Sequence, residues 1–294
     1  MSGDRHAGED ILATTTDSAR EVFGDRLSAV FALGSLAHGG FAPLVSDVDV
    51  ALILNDLSED TADLVGQVKQ LSIARTGDPL AHRLSIFWSD WHGVRHGPGD
   101  GTRLPAVDRL DLLDDGRLLH GVDQRANGNR PDRTELVVDG ARFACAKFDD
   151  QYLADLHRPE LIAAEGPRAA TKAALFPIRF LYTLDSGLIG KNDAAAHWYQ
   201  RTGAHPALAE AAMTWRENGI TDPETATRLL REHLIGVYDE FFDAYRTALL
   251  ALGNTTTADE LSSRHTKLHG DIAAQAQRAA SATRSPRNRS PRPR

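Results

Sequence analysis

The stretch ALGSLAHGGFAPLVSDVDVALIL, residues 32–54, constrains the fold of this chain more than any other. An apolar run, LSAVFAL, leads into Gly34 and Ser35, and a second apolar run closes the stretch. Short runs rich in valine, isoleucine and leucine predict two buried β-strands joined by a glycine-rich loop. Because side chains alternate along a strand, Asp47 and Asp49 project to the same side of the second one.

Two carboxylates on one side of a strand repel each other unless a cation lies between them. Mg²⁺ prefers oxygen ligands, binds through one or two carboxylates, and takes further ligands from substrate phosphates. Upstream, Gly34 permits a close approach of the backbone, and Ser35 with the amides that follow it can donate hydrogen bonds to phosphate oxygens. The stretch therefore predicts a site for a nucleoside triphosphate with Mg²⁺.

Predicted strands and helices alternate up to about residue 130, which is typical of an α/β domain. The predicted strands are 27–33, 47–54, 83–88 and 117–121, the predicted helices are 10–23, 58–74 and 106–115, and the glycine-rich segment 92–102 is a predicted loop. Beyond RANGNRPDR the strand signals stop, and helical patterns run to about residue 279. We therefore expect an α/β domain at 1–130, a helical domain at 131–279 and a disordered basic tail at 280–294.

The composition narrows the class of protein. The chain has 294 residues, of which 41% are hydrophobic, and its N-terminus is polar. It contains no apolar run near the roughly 18 residues that a membrane span needs. We therefore expect a cytoplasmic monomer without a membrane partner. The only cysteine, Cys145, lies in the apolar setting ARFACAKF, which favours a buried structural thiol.

The net charge of −8 includes five arginines in the tail RSPRNRSPRPR, so the body of the chain is more acidic than the total suggests. An acidic body disfavours broad binding to the phosphates of a nucleic acid and suits a cationic small molecule. The tail has nothing to bury, which predicts disorder, and a weak nucleic-acid-binding arm is its alternative role.

The turn at Gly34 and Ser35, followed by Asp47, Asp49 and an apolar strand, resembles the signature of the polymerase-β-like nucleotidyltransferase superfamily. In that superfamily the turn holds the triphosphate and the acids hold metal ions. The resemblance implies a mixed-sheet α/β nucleotidyltransferase core followed by an all-α helical bundle. It also implies ATP as co-substrate, Mg²⁺ as cofactor, and Asp47 and Asp49 as metal ligands and catalytic residues.

A second resemblance lies in the helical half. The segment PIRFLYTLDSGLIGKNDAAAHWY, residues 177–199, is similar to a helical segment of the streptomycin/spectinomycin adenylyltransferases, in which an arginine, a glycine, a lysine and a tryptophan recur at similar spacing. By position, Arg179 and Lys191 would face the nucleotide phosphates, although Asn192 stands at the family's lysine position. The nucleotide-binding residues expected in all are Gly34, Ser35, Ser46, Arg179, Lys191 and Asn192.

Members of this superfamily usually carry a further acid on the third strand, as a metal ligand or as the general base. The predicted strand 83–88 contains no acid, and Arg83 or Ser85 stands where one is expected. Asp90, which follows the strand, is the nearest acid. It is the remaining catalytic candidate, with a role in the turn as the alternative.

The expected reaction is attack by a hydroxyl of a small molecule on the α-phosphorus of ATP, which transfers AMP and releases pyrophosphate. The resemblance implies an aminoglycoside-like polycation as the acceptor. Two alternatives stay open. The acceptor could be tRNA or a protein side chain, as in toxin-like members, or the chain could bind nucleotide as a regulator without catalysis, because the third acid is missing.

Two further patterns favour a structural interpretation. His92 and His96 have i, i+4 spacing, but the glycines and the proline around them oppose the helix that shared zinc ligation would need. The pattern HLIGVYDEFFDAY, residues 233–245, predicts an amphipathic helix whose aromatic side chains pack the helical core.

Overall fold

The protein is described here by a computed structural model. The backbone is described for residues 2–126 and 128–283, and the side chains for residues 6–126 and 128–270. Most of the predicted basic tail, from residue 284 onward, lies outside the described residues, so its disorder stays a prediction.

The N-terminal part is built on a mixed sheet of four strands. The strands are β1 (Leu27–Leu33), β2 (Val48–Leu54), β3 (Leu84–Asp90) and β4 (Arg117–Gly121). Their order across the sheet is β3-β2-β1-β4. β1 is antiparallel to both β2 and β4, whereas β2 and β3 are parallel. All four strands agree with the predicted ones to within two residues at each end.

Helices cover both faces of this sheet. They are α1 (Ser2–Phe23), α2 (Gly34–His38), α3 (Thr61–Thr76), α4 (Trp91–His96) and α5 (Ala106–Asp115). Val30 and Val50 belong to the face that packs against α1 and α3. Phe31 and Ile53 belong to the opposite face, which packs against α4 and α5. Because side chains alternate along a strand, Asp49 shares the face of Ile53 and projects on the side of α5.

The C-terminal part is helical throughout its described residues. Its helices are α6 (Arg133–Lys147), α7 (Asp150–Leu156), α8 (Pro159–Ala164), α9 (Pro167–Ser186), α10 (Asn192–Thr202), α11 (Pro206–Asn218), α12 (Pro223–Ala251) and α13 (Thr255–Thr283). The predicted fold class, a mixed α/β sheet followed by an all-α part, is thereby confirmed. The boundaries at 130 and 279 stay predictions as limits of folding units.

The aromatic side chains of α12 pack the core of the helical part, as predicted. Tyr238, Phe241, Phe242 and Tyr245 are almost fully buried, and Phe148 packs against the first three of them. Cys145 is a buried free thiol in the same core, which confirms its structural interpretation. The core thus depends on α12 for most of its large rings.

A proline inside α9 leaves one backbone carbonyl without its helical donor. Pro177 has no amide hydrogen, so it cannot donate to the carbonyl of Ala173 four residues earlier. The hydroxyl of Tyr238 donates to that carbonyl instead, over 3.2 Å, and contacts the hydroxyl of Tyr152 at 2.5 Å. A buried tyrosine from α12 therefore completes the hydrogen bonding of α9.

The segment 92–102 was wrongly predicted to be a loop throughout, because α4 occupies its first half. The side chain of Asp90 accepts a hydrogen bond from the Gly93 amide at 2.6 Å, which caps the first turn of α4. This cap offsets the low helix propensity of glycine. His92 and His96 are neighbours on that helix, with ring centroids 4.8 Å apart, but they belong to no cluster of three metal-ligating side chains among the described residues.

None of the helices in the described part of the chain combines the length and apolar character that crossing a bilayer requires.

Candidate active site

The predicted glycine turn and the predicted acids lie directly against each other. Gly34 follows β1 with a φ of +62°, a left-handed conformation that favours glycine. A Cβ atom at this position would lie 2.7 Å from Oδ2 of Asp49. The antiparallel pairing of Leu33 with Asp49 produces this approach, because it aligns the end of β1 with the start of β2.

A carboxylate of α5 holds the turn in place. The amide of Gly34 donates to Oδ2 of Asp111 over 2.7 Å. Asp111 is buried, and its other oxygen, Oδ1, has no hydrogen-bond partner within the described residues. Burial raises the pKa of Asp111, although the Gly34 amide works against that rise. The amide of Gly34 is therefore already bonded to a carboxylate, and the donors that follow it in the turn are the ones left for a ligand.

Three carboxylates form an acid cluster on the α5 side of the sheet: Asp49, Asp108 and Asp111. Burial and then the neighbouring Asp47 carboxylate raise the pKa of Asp49 to about 7. Burial and then the carboxylates of Asp49 and Asp111 raise the pKa of Asp108 to about 8. The negative charges of these carboxylates therefore repel one another. A cation bound between them would relieve that repulsion.

Asp47 is in a different state from Asp49, although only Val48 separates them. Its Oδ1 accepts a hydrogen bond from Arg168 at 2.6 Å, and its Oδ2 accepts one from Lys172. Burial works to raise the pKa of Asp47, but these two cations outweigh it and hold the pKa below its usual value. Both cations come from α9, so this carboxylate joins the sheet to the helical part.

A cavity of about 200 Å³ opens beside the glycine turn, between the sheet and the helical part. Its lining includes Ser35, Gly39, Gly40, Lys191, Asn192 and Arg216. Lys191 pairs with Asp115 at 2.8 Å. Arg216 is only 5% exposed and donates to the Gly40 carbonyl, while its Nε has no partner in the described part of the chain. The lining also includes the carboxylate of Asp193, so two cationic side chains and one acid border this cavity.

Arg179 lies between this cavity and the acid cluster. Its Nε donates to the carbonyl of Gly190 over 2.6 Å, which fixes the loop before Lys191. Its positive charge lowers the pKa of Asp49, Asp108 and Asp111 against the larger effect of burial. Of the predicted residues, the structure thus brings Gly34, Ser35, Asp47, Asp49, Arg179, Lys191 and Asn192 into one region.

Two of the predicted residues have other roles. Asp90 pairs with Leu54 and Ser85 pairs with Asp49, so Asp90 lies five residues along the sheet from the acids, about 16 Å at the rise of a strand. Its carboxylate caps α4 instead. Ser46 is buried, and its hydroxyl accepts a hydrogen bond from the amide of Ala42 at 3.0 Å, which closes the loop before β2.

The only acid of the third strand is its last residue, Asp90, which was wrongly predicted to follow the strand, and the end of β3 near Asp49 carries none. β3 begins at Leu84, and Arg83 belongs to the preceding turn rather than to the strand. The Arg83 guanidinium donates to the carbonyl of Pro43 over 2.8 Å and so supports the loop that leads to Asp47. Ser85 pairs with Asp49 across the parallel strands. A carboxylate whose pKa responds to the charge of Asp49 comes instead from α5, at Asp108.

Sequence reasoning missed the two acids of α5 and the two cations of α9. Asp108 and Asp111 have i, i+3 spacing, and Arg168 and Lys172 have i, i+4 spacing, so each pair lies on one face of its helix. Two like charges on one face of a helix destabilise it unless a group of opposite charge faces them. Each of these pairs could therefore have predicted a partner of opposite charge.

No family model and no curated protein matches this chain. Among solved structures, the chain is similar to a spectinomycin adenyltransferase, AAD(9), from Enterococcus faecialis, whose crystal structure was determined with ATP and spectinomycin. The two share 15% sequence identity, with a TM-score of 0.47, over 77% of this chain and 98% of that chain. The likeness is distant and extends to the fold alone.

Proposed function

We propose that this protein is a nucleotidyltransferase that transfers AMP from ATP to a hydroxyl of a small, cationic acceptor. The observation that carries the proposal is the contact between Gly34 and Asp49. It joins a turn suited to phosphates to a carboxylate whose neighbours are also acids. A cavity bordered by Lys191 and Arg216 begins at the same turn, and these two cations would attract a triphosphate against the single carboxylate of Asp193.

The acid cluster fits Mg²⁺, although the structure contains no ion. Carboxylate oxygens are hard ligands, and Asp49 has Asp47, Asp108 and Asp111 as neighbours without a cation bonded to it in the described structure. Asp49 would hold the metal together with Asp47, one of whose oxygens would have to leave Arg168 or Lys172, and the substrate phosphates would supply further ligands. When bound, Mg²⁺ neutralises charge on the phosphates and on the oxygen that attacks.

The nucleotide-binding roles follow from charge and position. Lys191 and Arg216 would bind phosphate oxygens, and the unused Nε of Arg216 is a donor already directed into buried surroundings. The hydroxyl of Ser35 would donate to the same phosphates. Asn192 and Arg179 would orient them relative to the acid cluster, because Asn192 lines the cavity and the charge of Arg179 acts on Asp49.

Asp108 is the proposed general base. It would accept the proton of the acceptor hydroxyl while that oxygen attacks the α-phosphorus of ATP. The bond from the α-phosphorus to its bridging oxygen breaks, and pyrophosphate leaves. Asp108 is coupled to Asp49 by charge, so it lies within the region where the reacting atoms would meet.

A cationic acceptor suits the charge of the site. The acid cluster carries more carboxylates than one divalent ion can balance, and the body of the chain is acidic. Positive charge on the acceptor would be attracted to such a cleft over several ångströms. An aminoglycoside-like polycation with hydroxyl groups therefore remains the preferred acceptor class.

The test is incubation of the full chain with α-labelled ATP, Mg²⁺ and separate acceptors: a panel of aminoglycosides, tRNA, and protein from a cell lysate. We expect label on one or more aminoglycosides, and none when the metal is chelated. Label on tRNA or protein alone would favour a macromolecular acceptor. Tight binding of ATP with no labelled product in any arm would favour a nucleotide-binding regulator and contradict the enzyme.

A further inference from the structure

A cluster of three metal-ligating side chains lies between α12 and α13, in the helical part. His265 Nε2 lies 2.8 Å from Oδ1 of Asp239, and His269 Nε2 lies 2.7 Å from the same oxygen. The ligand atoms of all three residues lie within 4.8 Å of one another. Two imidazole nitrogens thus converge on a single carboxylate oxygen.

The helices hold these side chains in position. α12 and α13 are joined by a turn of three residues, 252–254, and pack against each other. His265 and His269 are one turn apart and therefore share a face of α13, while Asp239 faces them from α12. The cluster thus has ligands on both helices of one hairpin, and a bound ion would link the two.

The first histidine is further restrained by its surroundings. The ring of His265 stacks on the ring of Phe242, with centroids 4.8 Å apart and an interplanar angle of 12°. Its other nitrogen, Nδ1, lies 4.0 Å from Oδ1 of Asp243. This distance exceeds that of a hydrogen bond, so Asp243 acts on the ring through its charge alone. The stacking on Phe242 is therefore the contact that orients His265 toward Asp239.

We propose that Asp239, His265 and His269 form a Zn²⁺ site that clamps α13 onto α12. Two imidazoles and one carboxylate suit zinc, which takes nitrogen and oxygen ligands, better than Mg²⁺, which prefers oxygen alone. The ion would replace the hydrogen bonds between the two Nε2 atoms and the Asp239 oxygen; the proton of a neutral ring would move to Nδ1, and a charged ring would release one proton to solvent. The side chain of His269 is 46% exposed, so water can enter and complete a fourth position.

The experiment measures zinc binding by the untagged full chain after treatment with a chelator. ZnCl₂ is titrated calorimetrically, bound zinc is counted by mass spectrometry, and melting is recorded with and without the metal. His269→Gln removes the most exposed ligand while it keeps a side chain that can hydrogen-bond to Asp239. The matched control is His92→Gln with His96→Gln, because these exposed histidines have the same i, i+4 spacing on α4 without a carboxylate between them.

The wild-type chain and the α4 control should each bind one Zn²⁺ and melt at a higher temperature with it. His269→Gln should melt like the wild-type chain without zinc and bind the ion about 100-fold more weakly or worse, since loss of even an outer-shell partner costs up to about that much. If this variant proves misfolded, Asp239→Asn takes its place and should show the same loss. The proposal would be overturned if the wild-type chain bound no zinc, or if His269→Gln and Asp239→Asn bound it as tightly as the wild-type chain. It would also be overturned if the α4 control lost zinc binding.

Discussion

The Cα atom of Gly34 faces the carboxylate of Asp49 so closely that a methyl group added to Gly34 would lie 2.7 Å from Oδ2. This contact makes Gly34 a sensitive position. Gly34→Ala would pay about 1–2 kcal/mol for the left-handed backbone, and it would also displace the acid. We expect AMP transfer to fall by about 10²-fold, since a shift near 1 Å in a positioned group can cost that much.

Gly77 provides the matched control for that substitution. It ends α3 with a φ of +65°, and a Cβ atom there would meet nothing within 4 Å. Gly77→Ala should therefore lower the melting temperature as Gly34→Ala does, but leave labelling of the acceptor intact. Equal activities of the two variants would contradict a site at Gly34.

Replacing Asp47 or Asp49 by the neutral asparagine should change the melting temperature in opposite directions. Asp49 is surrounded by acids, so Asp49→Asn should raise the melting temperature of the metal-free protein by ~2–4 °C, the shift that about 1 kcal/mol produces in a chain of this size. Asp47→Asn should lower it, because Arg168 and Lys172 lose their partner. Both variants should lose transfer by about 10²- to 10³-fold. If both variants melted at a lower temperature than the wild-type protein, the assignment of Asp49 to an acid cluster would be contradicted.

The general base can be identified by comparing Asp108 of α5 with Asp90, the last residue of β3. Asp108→Asn should lower the rate of transfer by about 10²- to 10⁴-fold, with little effect on ATP binding. Asp90→Asn should keep the cap of α4, because asparagine caps helices as well as aspartate does, and should leave the rate unchanged. Single-turnover rates with saturating ATP make the comparison. If Asp90→Asn transferred AMP slowly and Asp108→Asn transferred it at the wild-type rate, Asp90 would be the general base.

The hydrogen bond from Tyr238 to the carbonyl of Ala173 predicts coupling with Pro177. Tyr238→Phe should cost about 1–3 kcal/mol, because it leaves a buried carbonyl unsatisfied. In a Pro177→Ala background the helix regains an amide for that carbonyl, so the same change should cost less. Denaturant unfolding of the four proteins gives a double-mutant cycle, and a coupling below ~0.3 kcal/mol would show that the two residues act independently.

The thiol of Cys145 should be unreactive in the native protein. Burial, and then the carboxylate of Glu260, raise the pKa of this thiol to about 11 from 9.0. The thiolate fraction at pH 8 is therefore ~100-fold lower than in the unfolded chain, and the thiolate is the species that reacts. A disulfide reagent should label the native protein at least that much more slowly than the protein in denaturant. Rapid labelling without denaturant would contradict the buried position.

The strands of the sheet could be predicted because each has a local apolar pattern in the sequence. Alternating and continuous apolar runs marked the strands, and the glycine turn with Asp47 and Asp49 marked one end of the site. Asp108 and Asp111 were not predictable from the same kind of pattern, because α5 reaches that end only by packing across the face of β1. The spacing of residues within α5 does not reveal which face of the sheet the helix packs against.

The helix α4 was missed for a different reason. Glycines at 93 and 97 argued against a helix, and their propensity is a local quantity of about 1 kcal/mol each. The cap from Asp90 and the burial of Trp91 and Val94 against the sheet outweigh it. An acid placed three residues before a glycine was therefore a capping signal, although it was interpreted as a catalytic one.

The helix α9 carries Arg168, Lys172 and Arg179 at positions i, i+4 and i+11, a stripe about 16 Å long that faces the acids of the sheet. These charges are partly exposed, so dissolved ions screen their attraction over a distance of about 8–10 Å at moderate salt. The apolar cores on either side are insensitive to such screening. We therefore expect rising ionic strength to weaken the attachment of α9 to the acids beside the sheet by degrees, while the two apolar cores stay folded.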